Sequence, residues 1–408
     1  MSSQAGLRPL SASPRGLAGI VLAALAALAW GPATAVPHVP ASEATVLEYL
    51  PAAAARLEPL RARLAAHPDD LHSALALAQA YLEIGRANAD PRFISYAQAT
   101  LAPWLSRARP DPAVLTIEAT ALQYLHRFDE ALALLDRALV EQSFDAQAWL
   151  TKATILQVQG RFEAARQACR PLIRSSGHLI ALTCLSSVNS LTGHLNESYL
   201  ALSRVFSDDP RLEPGVRVWV LDQLADMAQR TGDDQAAEAD LLSALHVSPQ
   251  DGYSKGEYAD LLLRQRRNTD VVQLLRGDES QDNLLLRLAI AATRLHSADA
   301  RRWSEMFQAR YEAARRDGDF THLREQARFL LEVRSDAAGA LELAERNWHV
   351  QREPADVRIY FAAATAAGNR AALRNLESWI EQIHYEDRTI AALGNAGRSS
   401  ASRGIADR

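Results

Sequence analysis

The sequence predicts an all-α fold, a solenoid of consecutive helix–turn–helix pairs, and two kinds of observation favour it. Apolar residues recur at helical spacing through most of the chain, and no alternating strand pattern interrupts them. Short sequence marks also recur at a nearly constant interval, which is typical of repeat architectures. Hydrophobic residues make up 48% of the 408 and aromatic residues only 6%, so the chain can bury a large core of closely packed helices.

The recurring marks are a short motif and a glycine. The motif FDEA at Phe128–Ala131 is followed 34 residues later by FEAA at Phe162–Ala165. Gly160 recurs as Gly193 after 33 residues and as Gly232 after a further 39. Each glycine lies between two helical stretches, where a helix end often adopts the left-handed conformation that glycine tolerates best. The sequence therefore predicts helix pairs separated by glycine-containing turns.

The clearest unit is Val218–Asp251, which contains two amphipathic stretches. Small residues at Ala225 and Ala237 allow its two predicted helices to approach closely. Each stretch carries one apolar stripe that a neighbouring unit must cover. The stripes consist of Leu221, Leu224, Ala225 and Ala228 in the first helix, and Ala237, Leu241 and Ala244 in the second.

The order of large and small residues in this unit resembles the tetratricopeptide repeat (TPR) family. Similar marks cover the chain from Leu71 to His384, and they become degenerate after Asp278. The resemblance implies a right-handed superhelical solenoid of about nine helix pairs, six of them good matches. It predicts an N-terminal helical cap at 36–66, well-matched repeats at 67–278, degenerate helix pairs at 279–385 and a flexible tail at 386–408.

The first 35 residues have the layout of a secretory signal peptide. Arg8 and Arg15 are followed by the apolar run Gly16–Trp30, and Ala33-Thr34-Ala35 is a small-residue cleavage site. The run is shorter than the ~20 residues that a membrane helix needs. We expect cleavage near Ala35 and an exported, periplasmic or secreted chain with no transmembrane segment. An uncleaved signal anchor remains the alternative.

The resemblance also indicates the class of function. Stacked helix pairs turn their first helices towards a concave groove that the core does not need, and TPR proteins generally bind other chains there. We therefore expect a non-enzymatic scaffold for a protein or peptide partner, serving envelope assembly, export or maturation of a secreted or membrane protein. The inference rests on analogy between folds. A small-ligand or metal carrier, or an enzyme with its site on the helices, remains an alternative.

In TPR repeats, certain positions of the first helix face the groove. The residues at these positions in two consecutive units are candidate binding residues. They combine two large rings with several carboxylates, which suits a partner segment with basic residues. The alternative is a solvated helix face whose acids are balanced by Arg230 and Arg264. The candidates are Trp219, Asp222, Gln223, Asp226 and Arg230 in the Val218 unit, and Tyr253, Glu257 and Asp260 in the next.

Sequence motifs of catalysis and cofactor binding are not found in the chain. It has no HExxH motif, no glycine-rich phosphate loop and no Gly-x-Ser-x-Gly elbow. Its 11 histidines are scattered, and no spacing among them suggests a metal site. The net charge of −5, from 44 basic and 49 acidic residues, argues against a nucleic-acid binder. We therefore predict no catalytic residue, no metal and no cofactor.

The two cysteines form a candidate disulfide. Cys169 and Cys184 are nearly symmetric about a predicted turn at Ser176–Gly177, so antiparallel helices bring them to the same height. An oxidising compartment would allow them to bond, provided that their side chains point together. The alternative is a pair of buried free thiols.

Overall fold

A computed structural model describes residues 52–88, 90–206, 211–316 and 321–390. Across these ranges the chain is helical and contains no strand. The predicted signal peptide at 1–35 lies outside them, as does the first part of the predicted cap. None of the described helices combines the length and the hydropathy that crossing a bilayer requires.

A short 3-10 helix at Ala52–Leu57 precedes the α-helices of the described ranges. The part of the predicted cap that the structure covers is thus helical. In chain order the α-helices are α1 (Glu58–Ala66), α2 (Leu71–Asn88), α3 (Pro91–Leu105), α4 (Pro112–Tyr124), α5 (Phe128–Glu141), α6 (Ala146–Val158), α7 (Phe162–Cys169), α8 (Leu172–Ser175), α9 (His178–Ser190), α10 (Leu195–Val205), α11 (Pro214–Thr231), α12 (Asp234–Val247), α13 (Gly252–Arg264), α14 (Asn268–Leu275), α15 (Asp282–Arg294), α16 (Asp299–Arg316), α17 (Leu323–Glu332), α18 (Ala337–Trp348), α19 (Pro354–Ala366) and α20 (Arg370–Ile383).

Eighteen of the described helices form nine consecutive pairs, which we call units 1 to 9. Helices α1 and α8 lie outside the pairs: α1 precedes unit 1, and α8 lies between units 3 and 4. The predicted solenoid of about nine pairs is therefore confirmed. The units are α2/α3, α4/α5, α6/α7, α9/α10, α11/α12, α13/α14, α15/α16, α17/α18 and α19/α20.

The residues that predicted the repeat form the core. In unit 5, Leu221 and Leu224 are at most 5% exposed, and Ala225, Ala237 and Leu241 are at most 1% exposed. A fully buried leucine contributes about 1.5–3 kcal/mol relative to an exposed one, and no single pair can bury its own stripes. Each unit is therefore stabilised by its neighbours, as expected of a solenoid.

Aspartate side chains fix where many of the helices begin. Asp111, for example, accepts a hydrogen bond from the backbone N–H of Ala113, and Asp145 accepts one from Ala148. These bonds satisfy N–H groups that the first helical turn leaves without a partner. The aspartates that cap helices in this way are Asp90, Asp111, Asp145, Asp233, Asp251 and Asp336.

The turn between the two helices of a unit passes through a residue with positive φ in every unit from 2 to 9. The left-handed conformation predicted for the three recurring glycines is confirmed. Other residue types occupy the same place in four units. The residues are His126 (54°), Gly160 (74°), Gly193 (80°), Gly232 (86°), Arg266 (60°), His296 (51°), Ser335 (56°) and Gly368 (64°).

The array closes on itself through its C-terminal part, residues 349–390, which we call the closing segment. Within this segment the backbone N–H of Arg352 donates to the carbonyl of Val158 in unit 3 at 2.8 Å. His384 lies against Gly193 in unit 4, with a separation of only 2.9 Å between the His384 Cβ and the position of an added Cβ. One buried cluster joins units 3 and 4 to the last two units, so the closing segment shares their core.

Part of the predicted flexible tail, 386–408, is ordered. Asp387 accepts a hydrogen bond from Arg358 Nε at 2.9 Å, and its carboxylate is fully buried. Ile390 is 9% exposed and belongs to the shared core. The expectation was therefore wrong for residues 386–390, because these residues pack on the helices of other units; 391–408 lie outside the described ranges.

Candidate functional site

The concave side of the array encloses a chamber of about 1160 Å³. One wall comes from the helices of units 3 to 7. The other comes from α17 and α19, the first helices of units 8 and 9, and from residues 388 and 389. The predicted groove is thus narrowed by the last units of the same chain, because these units turn back across it.

The wall of unit 6 presents Tyr253 and Glu257. Asp251 caps α13 and fixes its first turn by accepting hydrogen bonds from the N–H groups of Tyr253 and Ser254. Tyr253 and Glu257 are four residues apart and therefore lie on one helix face. Tyr253 is 52% exposed, and Glu257 is partly buried. Burial raises the pKa of Glu257, and the nearby Asp260 raises it further.

Asp260 is held by two guanidinium groups from later units. Arg287 Nη2 lies 2.5 Å from one carboxylate oxygen, and Arg328 Nη1 lies 2.6 Å from the other. Burial alone would raise the pKa of Asp260, but the two arginines outweigh burial and hold the pKa at about 2. Asp260 therefore joins unit 6 to units 7 and 8 as a permanently charged group.

Two predicted groove residues are buried between units. Asp222 is 6% exposed and accepts a hydrogen bond from Ser254 Oγ at 2.9 Å, while burial raises its pKa well above the usual range. Arg230 is 1% exposed and donates to both the carbonyl and the hydroxyl of Ser190. Arg230 also bonds to Asp226 and lies over the ring of Tyr385. Asp222 and Arg230 therefore hold units together and do not present a surface to a partner.

A third predicted residue, Trp219, also lies away from the chamber. It is partly buried and packs against the core that units 3 and 4 share with the closing segment. Its ring is thus used in packing, because the last units cover this part of the groove. The predicted residues that do line the chamber are Gln223, Asp226, Tyr253, Glu257 and Asp260.

The charge of the chamber differs from the predicted acidic patch. Its lining contains seven carboxylates and eight guanidinium groups, a formal balance of +1 (8 − 7). Arg287, Arg328 and Arg358 were not among the predicted groove residues, because they lie in the degenerate helix pairs and the predicted residues lie in the well-matched repeats. A signal was present, since Arg287 and Arg328 are the sixth residues of α15 and α17, as Glu257 is of α13.

The two cysteines are joined in a disulfide between α7 and α9. Their Cα atoms are 5.7 Å apart, and the two residues are 0% and 4% exposed. Both belong to the core shared with the closing segment. The bond therefore fixes the junction of units 3 and 4 where the last units pack on it.

The chamber is lined with charged and polar side chains together with one large aromatic ring. Its lining offers ion-paired side chains, amide groups such as those of Gln157 and Gln223, and the half-exposed ring of Tyr253. Within the described ranges, no three His, Cys, Asp or Glu side chains converge as metal ligands would. The arrangement suits recognition of a polar chain with an anchoring side chain.

Comparison with known proteins gives similarity of structure only. No protein-family model matches the sequence, and neither does any curated protein. Among solved structures, the APC/C hetero-tetramer Cut9–Hcn1 is 14% identical, with 72% of this chain covered and a TM-score of 0.45. The chain spans about half of that structure's length, 52%.

Two further solved structures are similar over most of this chain. Yeast Tom70 is 11% identical, with 86% of each chain covered and a TM-score of 0.39. The TPR domain of P58(IPK) is 13% identical, with 71% of this chain and 98% of that chain covered and a TM-score of 0.24. The helix pairs and their buried small residues agree with the resemblance inferred from the sequence: the described chain is an all-helical, TPR-like solenoid.

Proposed function

We propose that this protein is an exported, non-enzymatic scaffold that binds a segment of another protein in its chamber. The observation that carries the proposal is Tyr253, which exposes about half of a large ring inside a concave wall. Exposed tyrosines in concave sites are typical binding hot spots, because the ring supplies apolar contact area and the hydroxyl a hydrogen bond. The helical array itself serves to hold this wall in place.

The size of the chamber favours a peptide over a small molecule. Small-molecule sites typically have volumes of about 300–1,000 Å³, and the chamber measures about 1160 Å³. Fifteen of its 32 lining residues are also charged, whereas small-molecule sites typically have only a few polar groups. A peptide segment matches both properties, because its backbone and side chains need many polar partners.

Export is the second part of the proposal. It rests on the signal-peptide pattern of residues 1–35, and the Cys169–Cys184 disulfide supports it because disulfides persist in oxidising compartments. Fractionation of cells that express the full chain should place it outside the cytoplasm, with a mature N-terminus at Val36. A cytoplasmic protein that retains Met1 would contradict this part of the proposal.

The binding role is tested by selecting peptides from a random display library on the full chain. Affinities of the selected peptides are then measured by fluorescence anisotropy. We expect Tyr253→Ala to weaken binding at least tenfold, which corresponds to about 1.4 kcal/mol. The matched control is Leu242→Ala on α12, a residue that is 48% exposed and does not line the chamber.

Two results would contradict the proposal. One is a library from which no peptide binds above background. The other is a set of peptides that bind equally to wild type, Tyr253→Ala and Leu242→Ala, since their site would then lie elsewhere. A small molecule found in the purified protein by native mass spectrometry, together with no peptide binding, would favour the small-ligand carrier instead.

A further inference from the structure

Glu257 differs from every other carboxylate of the chamber in having no arginine in direct contact. Among the described residues it makes no hydrogen bond and no ion pair, although it is partly buried. Each of the others has a guanidinium nitrogen within 4 Å. The paired carboxylates are Asp226, Asp234, Asp260, Glu325, Glu332 and Glu353.

The arginines nearest to Glu257 are already engaged. Arg287 donates to Asp260 and to the backbone carbonyls of Gly256 and Asn283. Arg358 donates through its Nε to Asp387. Arg287 cannot turn to Glu257 without leaving a buried acceptor unpaired, which costs about 1–3 kcal/mol or more. Arg358 has a buried Nη2 without a hydrogen-bond partner, but that nitrogen forms no ion pair with Glu257. Both arginines thus attract the Glu257 carboxylate at longer range, and neither is in direct contact with it.

A second chamber residue also lacks a partner. Gln229 is 1% exposed, and its Oε1 accepts a hydrogen bond from Arg264 Nη1 at 2.6 Å. Its Nε2 is buried and has no acceptor among the described residues. A buried amide N–H without an acceptor is unfavourable, so the hydrogen bonding of this chamber-lining side chain is incomplete.

Tyr253 lies one helical turn before Glu257 on the same face of α13. Its ring is half exposed and lines the same chamber. A carboxylate beside an exposed aromatic ring suits a lysine or arginine side chain, because the ring packs against the aliphatic stem and also attracts the cation. Tyr253 and Glu257 together thus suit a long basic side chain.

We propose, building on the proposed function, that the bound segment inserts a lysine or arginine side chain that pairs with Glu257. The stem of that side chain packs on the Tyr253 ring. Arg266 and Arg388 are the two chamber arginines that form no ion pair with a described residue, and both are exposed. They stay hydrated and gain little from an anion, whereas Glu257 gains more from a cation because it is partly buried.

Affinity for such a segment should depend on pH. Burial raises the pKa of Glu257 above its ordinary value in the free protein. A bound cation favours the ionised carboxylate, so protons and the ligand compete. Affinity should therefore fall as the pH is lowered through the pKa of Glu257, and this dependence should be absent in Glu257→Gln.

The test repeats the peptide selection on wild type, on Glu257→Gln and on Glu342→Gln. Glu342 is exposed and outside the chamber, and its substitution changes the net charge by the same amount. We expect lysine or arginine to be enriched at one peptide position with wild type and Glu342→Gln but not with Glu257→Gln. Changing that residue to norleucine should weaken binding to wild type at least tenfold and leave binding to Glu257→Gln unchanged.

The outcomes separate this inference from the proposed function. Peptides that depend on Tyr253 but show no basic enrichment, or that lose the same affinity with norleucine in both proteins, would overturn the cation site and leave the scaffold intact. Failure to select any peptide would overturn both. Misfolding is controlled by thermal unfolding, in which Glu257→Gln should be at least as stable as wild type because it removes an unpaired charge.

Discussion

The turns of units 3 to 5 and those of units 6 to 8 share a backbone conformation but differ in residue type. We call Gly160, Gly193 and Gly232 the covered turns, because Arg352, His384 and Arg388 of the closing segment lie against them. We call the turns at Arg266, His296 and Ser335, all exposed, the open turns. A positive φ alone thus tolerates several residue types, whereas at the three covered turns the closing segment leaves little room for a Cβ.

A similar contrast between a covered and an open position is seen for two arginines at the same position of the repeat, one in α11 and one in α13. Arg230 and Arg264 are 34 residues apart (264 − 230) in units 5 and 6. The side chain of Arg230 is 1% exposed beneath the closing segment, and that of Arg264 is 28% exposed in the chamber. Packing of the last units thus converts a groove residue into a structural one.

The largest predicted effect on stability is that of Arg230→Ala, and Arg264→Ala is the comparison. Arg230→Ala leaves Asp226 and the Ser190 carbonyl without their main partner in a buried site, so we expect a loss of about 3–5 kcal/mol in the free energy of unfolding. Arg264→Ala breaks a half-exposed pair with Asp234 and a hydrogen bond to the buried Gln229 Oε1, so it should lose less, about 1–3 kcal/mol. Urea denaturation of both variants measures the difference. Equal losses would mean that the closing segment does not cover unit 5 in solution.

The local repeat could be predicted from the sequence because it depends on residues close together in the chain. The buried stripe residues and the turn glycines follow from helical periodicity. Closure of the array could not be predicted in this way. Gln351 reaches His126 across 225 residues, and this contact depends on small rotations that accumulate over six units.

Closure also accounts for the weak match of units 8 and 9 to the TPR-like sequence pattern. Leu341 and Tyr360 belong to the core that units 8 and 9 share with units 3 and 4. These units must therefore fit two sets of neighbours, and the ordinary repeat pattern describes only one.

In the chamber, the sequence could place carboxylates at groove positions but could not tell which were paired. Arg287 and Arg328 both bind Asp260, and neither forms an ion pair with Glu257. That distinction depends on side chains 27 and 68 residues away from Asp260 along the chain.

A comparison of two glycines separates the effect of φ from that of the closing segment. Gly193 and Gly368 both have positive φ, but an added Cβ would lie 2.9 Å from His384 Cβ at Gly193 and would meet nothing within 4 Å at Gly368. Gly368→Ala should lose about 1–2 kcal/mol from the left-handed backbone alone. Gly193→Ala should lose at least ~3 kcal/mol, because the clash adds to the strain. A smaller loss at Gly193 than at Gly368 would contradict the close packing of His384.

Removal of the disulfide tests the stability of the core on which the closing segment packs. Replacing Cys169 and Cys184 together by alanine should lower the free energy of unfolding by about 3 kcal/mol, since the bond closes a short loop in the unfolded chain. Thermal or urea unfolding, with and without reductant, measures the effect; reductant should destabilise wild type and leave the double variant unchanged. Titration of thiols in the unfolded, unreduced protein should find none, and two reactive thiols would show that the bond does not form.

The smallest predicted effect is a gain in stability at an open turn. Arg266 has φ of 60°, and relief of its left-handed strain in Arg266→Gly should exceed the added entropy of the unfolded chain by about 1 kcal/mol. Urea midpoints of Arg266→Gly and wild type measure the gain. His126→Gly is the matched control, because His126 has a similar φ but its ring contacts Gln351 of the closing segment and stacks on Phe128. There the lost contacts should cancel the relief or outweigh it, and an equal gain at both turns would show that the contact between His126 and the closing segment adds no stability.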